Sequence, residues 1–273
     1  MKLADVLDIA IRTDPGLVRS HNEDAVFADA ETGLAVLADG MGGYKAGEVA
    51  SGMATAMLAR TLGNLLAKKE GGRFSYSPSM DVAHHLAEEI ATVNSAIFNA
   101  AASQSRYAGM GTTLVVACYV DNALVVAHLG DSRLYRLREN RFEQLTRDHS
   151  LLQEQIDCGM ISVDEARFSN NRNLVTRALG VDPVVEPEIH QHDVQVGDTY
   201  LICSDGLTDM VDDDEIALTV QTLNENLLLA ADQLIHLAND NGGRDNISVI
   251  LVKVRGESAP ARSWWQKLLL RRT

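Results

Sequence analysis

The chain has few cysteines, and their pattern does not indicate a disulfide scaffold. Its 273 residues include three, Cys118, Cys158 and Cys203, which are widely separated and odd in number. Cys118 and Cys203 lie inside apolar runs. Small secreted domains held by disulfides usually carry an even number of cysteines. We therefore expect reduced thiols and an intracellular protein.

Long apolar runs are missing as well. The first residues, Met-Lys-Leu-Ala-Asp, contain none of the roughly 7–15 consecutive apolar residues that a secretory signal needs. No run approaches the roughly 18 apolar residues of a membrane-spanning helix. These absences predict a cytoplasmic location.

Basic residues are in deficit. The chain has 24 Lys and Arg residues against 38 Asp and Glu residues, which gives a formal net charge of −14 at pH 7. An electric field of this sign repels nucleic acid and anionic lipid surfaces. The charge balance therefore argues against a nucleic-acid partner.

The chain does have short runs rich in Val, Leu and Ile, which predict strands buried between layers. These runs cover residues 34–37, 112–120, 123–129, 134–137, 199–202 and 247–254. Asp121-Asn122, between the second and third runs, predicts a two-residue hairpin turn. Hairpins dominate over strand–helix–strand units, which favours antiparallel sheets.

Apolar residues at helical spacing predict helices around these strands. They cover residues 49–65 and 82–101, then about 150–159 and about 224–239. Ser162 and Glu165 have the spacing of a capping box at a helix start. His190 and His192 fall where we expect a loop. The fold class is α+β, with residues 1–256 as one domain and 257–273 as a linker and short basic tail.

Acidic residues stand at sharp turns beside the apolar runs. The turns are Asp39-Gly40, Gly130-Asp131-Ser132, Ser204-Asp205-Gly206 with Asp209, and Arg244-Asp245-Asn246. Carboxylates that converge at one sheet edge need a compensating charge, and oxygen ligands suit Mg²⁺ or Mn²⁺. Two such ions, roughly 3.5–4 Å apart, can clamp a phosphoryl displacement. The alternative is that Asp-Gly pairs simply mark turns.

A further polar group, Arg19 with Glu23 and Asp24, stands before a short apolar run. The planar guanidinium of arginine matches phosphate oxygens, and adjacent carboxylates can hold metal-bound waters. The alternative is a surface arginine paired with a neighbouring acid, which would contribute little stability.

Taken together, these motifs resemble the metal-dependent type-2C protein phosphatases, the PPM family, in their compact bacterial form. The resemblance follows chain order over about residues 8–254 and is carried by seven motifs. They are Arg19…Asn22-Glu23-Asp24, Ala38-Asp39-Gly40-Met41-Gly42-Gly43, Gly111-Thr112-Thr113, Gly130-Asp131-Ser132-Arg133, Thr146-Arg147-Asp148-His149-Ser150, Ser204-Asp205-Gly206-Leu207 and Arg244-Asp245-Asn246-Ile247-Ser248.

The resemblance implies a four-layer αββα sandwich with metal ions, Mn²⁺ or Mg²⁺, in a cleft at one end of the two sheets. It implies two core ions, and bacterial members often hold a third. The matching residues are Asp39 and Gly40, Asp205 and Asp245 for the core ions, and Asp131, Asp209 and Asp205 for the third. Glu23 and Asp24 match the acidic pair beside the metals, Arg19 matches the phosphate-binding arginine, and about 159–183 matches the flap near the cleft.

The implied reaction is hydrolysis of phosphoserine and phosphothreonine in proteins by direct attack of a metal-bridging hydroxide, with Arg19, Asp39 and Asp205 as catalytic residues. A tyrosine-phosphatase Cys-x₅-Arg motif and a Walker A loop are absent from the sequence. An alternative is a catalytically weak regulatory module that binds a phosphoprotein. A nuclease is disfavoured by the net charge.

The proton donor to the leaving group is left open. Some eukaryotic members have a histidine where this chain has Met41, which has no proton to give. Many bacterial relatives have a histidine where this chain has Tyr44, a candidate proton donor whose usual pKa is near 10. A metal-bound water is the preferred acid.

The tail differs from the acidic body. Residues 261–273 contain four basic residues, no acid and both tryptophans of the chain. Trp264, Trp265, Leu268 and Leu269 share one face of a short helix. Contact with a membrane surface, contact with a partner, and a helix folded onto the acidic body are all open. The expected partners are phosphorylated proteins, substrates of a bacterial Ser/Thr kinase, and the expected state is a monomer.

Overall fold

The computed structural model describes residues 2–43, 46–68, 78–162, 165 and 174–257. Its strands are β1 (Leu7–Asp14), β2 (Asp24–Asp29), β3 (Leu34–Met41), β4 (Gly111–Thr112), β5 (Leu114–Val120), β6 (Ala123–Leu129), β7 (Arg133–Arg138), β8 (Arg141–Gln144), β9 (Glu188–Asp193), β10 (Thr199–Cys203) and β11 (Ile247–Val254). Its α-helices are α1 (Ala46–Lys68), α2 (Pro78–Ser103), α3 (Leu151–Asp157), α4 (Asp205–Thr208), α5 (Asp213–Leu223) and α6 (Leu227–Asp240).

The strands form two antiparallel sheets. One has the order β1-β11-β10-β7-β8, and the other has the order β2-β3-β5-β6-β9, with β4 paired to β3. The β5–β6 hairpin turns at Asp121, whose φ of 56° is the left-handed conformation that such tight turns require. The predicted hairpin is therefore confirmed.

Side chains of the central strands alternate between two layers of core, because successive residues of a strand point to opposite faces. On β3, Leu34, Val36 and Ala38 pack with α1 and α2. Ala35 and Leu37 pack between the two sheets. The side chains of β11 alternate in the same way. Those on one face pack against α5 and α6, and those on the other face pack in the core between the two sheets. The result is a four-layer αββα sandwich, which confirms the predicted fold class.

Several predicted elements need correction. The run 112–120 is divided into β4 and β5, and the helix expected from about 224 begins at Leu227, after the separate helix α5. His190 and His192 lie on strand β9, not on a loop. Strands β1, β2, β8 and β9 were not predicted. They stand at sheet edges, where a strand pairs on one side only and keeps a mixed sequence.

Two predicted capping interactions are present in the structure. Ser150 caps α3, because its hydroxyl accepts a hydrogen bond from the Gln153 amide at 3.2 Å. Ser162 and Glu165 form the reciprocal bonds of a capping box, with distances of 2.8 and 3.2 Å. Among the described residues, no helix is long and apolar enough to cross a membrane. Tyr44, residues 258–273 and part of the expected flap lie outside the described residues.

Candidate active site

The predicted site residues come from strand ends that meet at one end of the sandwich. Asp24 opens β2 and stands directly opposite Asp39 of β3 in the antiparallel register. Asp205 follows β10, and Asp245 precedes β11, the strand that pairs with β10. Asp131 lies between β6 and β7. Acidic turns that are far apart in sequence are thus brought together by the two sheets.

Asp39 is held by hydrogen bonds of its main chain to neighbouring threonines. Its amide donates to the Thr113 hydroxyl at 3.1 Å. Its carbonyl accepts from the Thr112 hydroxyl at 2.8 Å and from the Thr113 amide at 2.9 Å. These bonds fix the backbone from which the carboxylate projects.

Gly40 allows an unusually close approach of three chain segments. A Cβ atom at Gly40 would stand 2.3 Å from the Gly47 carbonyl oxygen of α1 and 2.5 Å from the Glu23 carbonyl oxygen. The Gly40 amide also donates to the Glu23 carbonyl at 3.1 Å. A residue with a side chain would push apart the elements that carry Glu23 and Asp39, so glycine is required here.

Asp24 has one satisfied and one unsatisfied carboxylate oxygen. Its Oδ2 accepts a hydrogen bond from the Ser204 hydroxyl at 2.9 Å. Its Oδ1 is buried and has no hydrogen-bond partner among the described residues. Burial raises the pKa of Asp24 to about 6, although hydrogen bonds from Ser248 and Ser204 lower it.

The other carboxyls of the cluster are also too crowded to ionise easily. Burial, followed by repulsion from Asp24, Asp205 and other carboxylates, raises the pKa of Asp39 well above its usual range. Burial and repulsion from Asp131 and Asp209 do the same to the pKa of Asp205. Burial also raises the pKa of Asp131 to about 6, with Asp148 as the next cause. The cluster therefore needs positive charge at neutral pH.

Arg19 lies at the rim of this cluster. Its Nη2 atom is 2.6 Å from Asp245 Oδ2, and 55% of its side chain is exposed. The hydrogen bond to Asp245 raises the pKa of Arg19. Burial raises the pKa of Glu23, and the nearby Arg19 opposes that rise. A single exposed guanidinium does not offset the buried carboxylates behind it.

Asn246 is a site residue to which the sequence assigned no role. Its Nδ2 donates to the Pro15 carbonyl at 3.0 Å and to the His21 carbonyl at 2.9 Å, and its Oδ1 accepts from the Glu23 amide at 2.8 Å. One side chain thus ties the loop that carries Arg19 to the start of β11. Its place in the Arg244-Asp245-Asn246 motif was the signal available in the sequence.

His149 supports the turn that carries Asp131. Its Nδ1 accepts from the Gly130 amide at 3.2 Å, and its own amide donates to the Gly130 carbonyl at 2.9 Å. Because Nδ1 accepts, the ring proton is on Nε2, which donates to Glu188 Oε2 at 3.1 Å. Burial lowers the pKa of His149, so the neutral ring is favoured.

His128, His149 and Glu188 bring ligating atoms within 4.8 Å of one another. The geometry nevertheless assigns them to a hydrogen-bond network. His128 Nε2 lies 2.8 Å from the Arg147 carbonyl and 3.3 Å from the Arg147 amide nitrogen, and the shorter contact, to a carbonyl that can only accept, assigns the proton to Nε2. His149 Nε2 donates to Glu188. In both rings the nitrogen that faces Glu188 is Nε2, and a protonated nitrogen cannot ligate a metal ion.

The carboxylate cluster, in contrast, fits hard divalent cations. Its donors are carboxylate oxygens, the ligand type that Mg²⁺ and Mn²⁺ prefer. The unsatisfied Asp24 Oδ1 and the raised pKa values of Asp39 and Asp205 indicate a site arranged for cations. An αββα sandwich with such a site between the ends of its two sheets matches the fold and metal site that the resemblance to metal-dependent phosphatases implies.

The chain belongs to the protein phosphatase 2C family, whose model matches residues 18–247. It is 41% identical over 245 residues to the serine/threonine phosphatase stp of Listeria welshimeri, a match that covers 89% of this chain and 94% of that protein. It is 40% identical over 251 residues to PstP of Mycobacterium tuberculosis, covering 91% of this chain and 45% of that longer protein.

Solved structures agree with this assignment. The M. tuberculosis phosphatase PstP/Ppp superposes with a TM-score of 0.83 at 39% identity, covering 92% of this chain and all of that one. The catalytic domain of PstP in complex with two manganese ions superposes with a TM-score of 0.79 at 38% identity, covering 92% and 99% of the two chains. The family resemblance is confirmed, and the chain is a protein phosphatase.

Proposed function

We propose that this chain removes phosphate from phosphoserine and phosphothreonine in proteins, with Mn²⁺ or Mg²⁺ as cofactor. The observation that carries the proposal is the crowding of Asp24, Asp39, Asp131 and Asp205 at one end of the sandwich, with raised pKa values. Relatives named serine/threonine phosphatases support the substrate class. The regulatory module is not favoured, because its expected sign, loss of the metal aspartates, is absent.

In this proposal Asp39, Gly40, Asp205 and Asp245 hold two ions. Asp131 and Asp209, with Asp205, hold a third, and Glu23 and Asp24 contribute directly or through water. When bound, the ions supply an activated water and neutralise the charge of the phosphoryl group. The chain's own contribution is to hold these oxygens in place through the Thr112, Thr113 and Ser204 hydrogen bonds.

Arg19 binds the phosphate of the substrate. Its guanidinium is exposed at the rim and in contact with Asp245, so a phosphate can meet it without rearrangement of the buried cluster. The planar fork suits two phosphate oxygens at once. Met41 has no proton to give to the leaving alkoxide. Tyr44 stays a candidate proton donor, and a metal-bound water is the preferred donor.

The test is phosphate release from a phosphothreonine peptide with Mn²⁺, comparing the wild type with Asp205→Asn. We expect metal-dependent release by the wild type and at least a hundredfold loss in the variant. Asp212→Asn is the matched control, because Asp212 is exposed at the N-cap of α5 and its side chain makes no capping hydrogen bond. A wild type that releases no phosphate with any divalent ion would overturn the proposal.

The proposal also covers the extent of the catalytic domain, the source of the substrates, the oligomeric state and the cellular location. Residues 1–256 form the catalytic domain, the substrates are proteins phosphorylated by a bacterial Ser/Thr kinase, and the enzyme acts as a monomer in the cytoplasm. The net charge of −14 supports a protein substrate over nucleic acid. Light scattering of the purified protein and fractionation of the source cells test the last two points.

A further inference from the structure

The loop that carries Arg19 also carries two large apolar side chains in solvent. Leu17 is 69% exposed and Val18 is 68% exposed, and both stand within two residues of Arg19 in the chain. Single apolar side chains on a protein surface are ordinary, but adjacent ones beside a binding residue form a patch that often marks a contact surface. We call Leu17 and Val18 the apolar pair.

The backbone of the apolar pair is fixed by hydrogen bonds. The amides of Leu17 and Val18 both donate to the Gly243 carbonyl, at 2.7 and 3.2 Å. Gly16 has a φ of 77° and lies so close to the neighbouring turn that a Cβ atom there would stand 2.3 Å from the Asp245 carbonyl oxygen. The backbone therefore holds both side chains in solvent, and their exposure does not come from a loose loop.

The apolar pair and Arg19 lie over the same turn, residues 243–246. Leu17 lies over the first residue of the turn, because its Cγ is 2.9 Å from the position that a Cβ of Gly243 would occupy. Arg19 lies over Asp245, with its Nη2 2.6 Å from Oδ2. Consecutive Cα atoms are 3.8 Å apart, so the Cα atoms of Leu17 and Arg19 are at most roughly 7.6 Å apart. The apolar surface is thus continuous with the phosphate-binding residue of the proposed function.

This spacing matches that of a bound peptide. An extended chain advances roughly 3.3 Å per residue, so the residues one and two positions from a phosphothreonine lie roughly 3–7 Å away along the peptide. With the phosphate at Arg19, such a residue can reach the apolar pair. An aliphatic side chain placed there removes apolar surface from water on both partners, whereas a polar one loses water and gains no hydrogen bond from aliphatic groups.

We propose that the apolar pair is a specificity site, which selects substrates with a bulky aliphatic residue within two positions of the phosphorylated residue. The inference rests on the proposed function, since it takes the substrate phosphate to lie at Arg19. It gives Leu17 and Val18 a part in recognition and none in the hydrolytic step. The net charge of −14 by itself would favour basic peptides, so charge and the apolar pair predict different preferences.

The test compares kcat/KM for three phosphothreonine peptides with Mn²⁺. The peptides carry leucine, serine or lysine at the two positions on each side of phosphothreonine and are otherwise identical. We expect the wild type to prefer the leucine peptide to the serine peptide by about tenfold, because aliphatic side chains become buried against each other. The double variant Leu17→Ser/Val18→Ser should lower this ratio to about twofold or less.

The ratio of the two kcat/KM values separates recognition from structural damage. A variant that only disturbs the loop or Arg19 lowers kcat/KM for both peptides and leaves their ratio unchanged. The conservative variant Leu17→Met/Val18→Ile keeps the apolar surface and should keep most of the wild-type ratio.

Leu218→Ser/Val196→Ser is the matched control, with the same two changes of side chain. Leu218 is 64% exposed on α5, and Val196 is 55% exposed on the segment before β10, so neither belongs to the loop of Arg19. This control should keep the wild-type ratio. A control that loses the ratio as fully as the Leu17→Ser/Val18→Ser variant would contradict the assignment.

Two results would overturn this inference and leave the proposed function intact. The first is a wild type that hydrolyses the leucine and serine peptides equally well, or that prefers the lysine peptide, which would assign selectivity to net charge. The second is a Leu17→Ser/Val18→Ser variant that keeps the wild-type ratio. A wild type that releases phosphate from none of the three peptides would overturn the proposed function, and this inference with it.

Discussion

Replacement of Asp24 by asparagine should stabilise the protein when divalent cations are removed. The Asp24 carboxyl lies beside Asp39, and one of its oxygens is buried without a partner. Asparagine has the same shape, keeps an acceptor for the Ser204 hydroxyl and carries no charge. It therefore removes the repulsion while preserving the packing.

The magnitude follows from the pKa of Asp24, which burial raises from 3.8 to about 6. This pKa difference lowers the free energy of unfolding by about 3 kcal/mol at pH values above 6, because each pKa unit is worth about 1.4 kcal/mol. A raised carboxyl pKa means that the folded state binds the proton more tightly. The penalty is therefore present above pH 6 and fades as the pH falls towards 3.8. At pH 4 we expect less than about 1 kcal/mol.

The assay is urea unfolding in EDTA, followed by circular dichroism at pH 7.5 and pH 4. Asp24→Asn should unfold at higher urea than the wild type at pH 7.5 and at nearly the same urea at pH 4. Excess Mn²⁺ should reverse the order at pH 7.5, because the wild-type site has one more carboxylate and binds the cations more tightly than the variant.

Asp198→Asn is a control that should lower stability, whereas Asp24→Asn should raise it. Asp198 is 1% exposed and accepts two 2.8 Å hydrogen bonds from Arg138. Loss of a buried carboxylate that has a cation partner should lower stability by about 3 kcal/mol. The reasoning about Asp24 would be refuted by unchanged stability of Asp24→Asn at pH 7.5, or by an equal gain at both pH values.

Two further predictions concern residues that position the site. Gly47→Ala should lower stability by about 1–3 kcal/mol and weaken Mn²⁺ binding, because its Cβ would stand 2.7 Å from the Gly40 backbone. Gly52→Ala, on the same helix, is the control, because a Cβ there would have no atom within 4 Å. In thermal melts and metal titrations this control should be neutral or stabilising. His149→Ala should reduce kcat/KM about tenfold and raise the Mn²⁺ needed for half-maximal rate, whereas His149→Asn, which can still accept from the Gly130 amide, should recover most of both. Equal behaviour of the two His149 variants would contradict that role.

The central part of the fold was accessible from the sequence. Strands β5 and β11 are buried along their whole length, and their apolar runs predicted them. Strands β8 and β9 lie at sheet edges with mixed burial, and no apolar run marks them. An edge strand is specified by its partner strand more than by its own composition, so local pattern could not identify it.

For the site, the sequence determined which residues could take part, because Asp39, Asp131, Asp205 and Asp245 stand beside recognisable strand ends and glycines. The tertiary structure decided how they interact. It brought the carboxylates together and raised the pKa values of Asp39 and Asp205, and it gave Asn246 its role in holding the Arg19 loop. The His149–Gly130 bonds likewise join segments that are distant in sequence. Local spacing records side-chain chemistry and periodicity, whereas desolvation and contact between distant segments exist only once the sheets have paired.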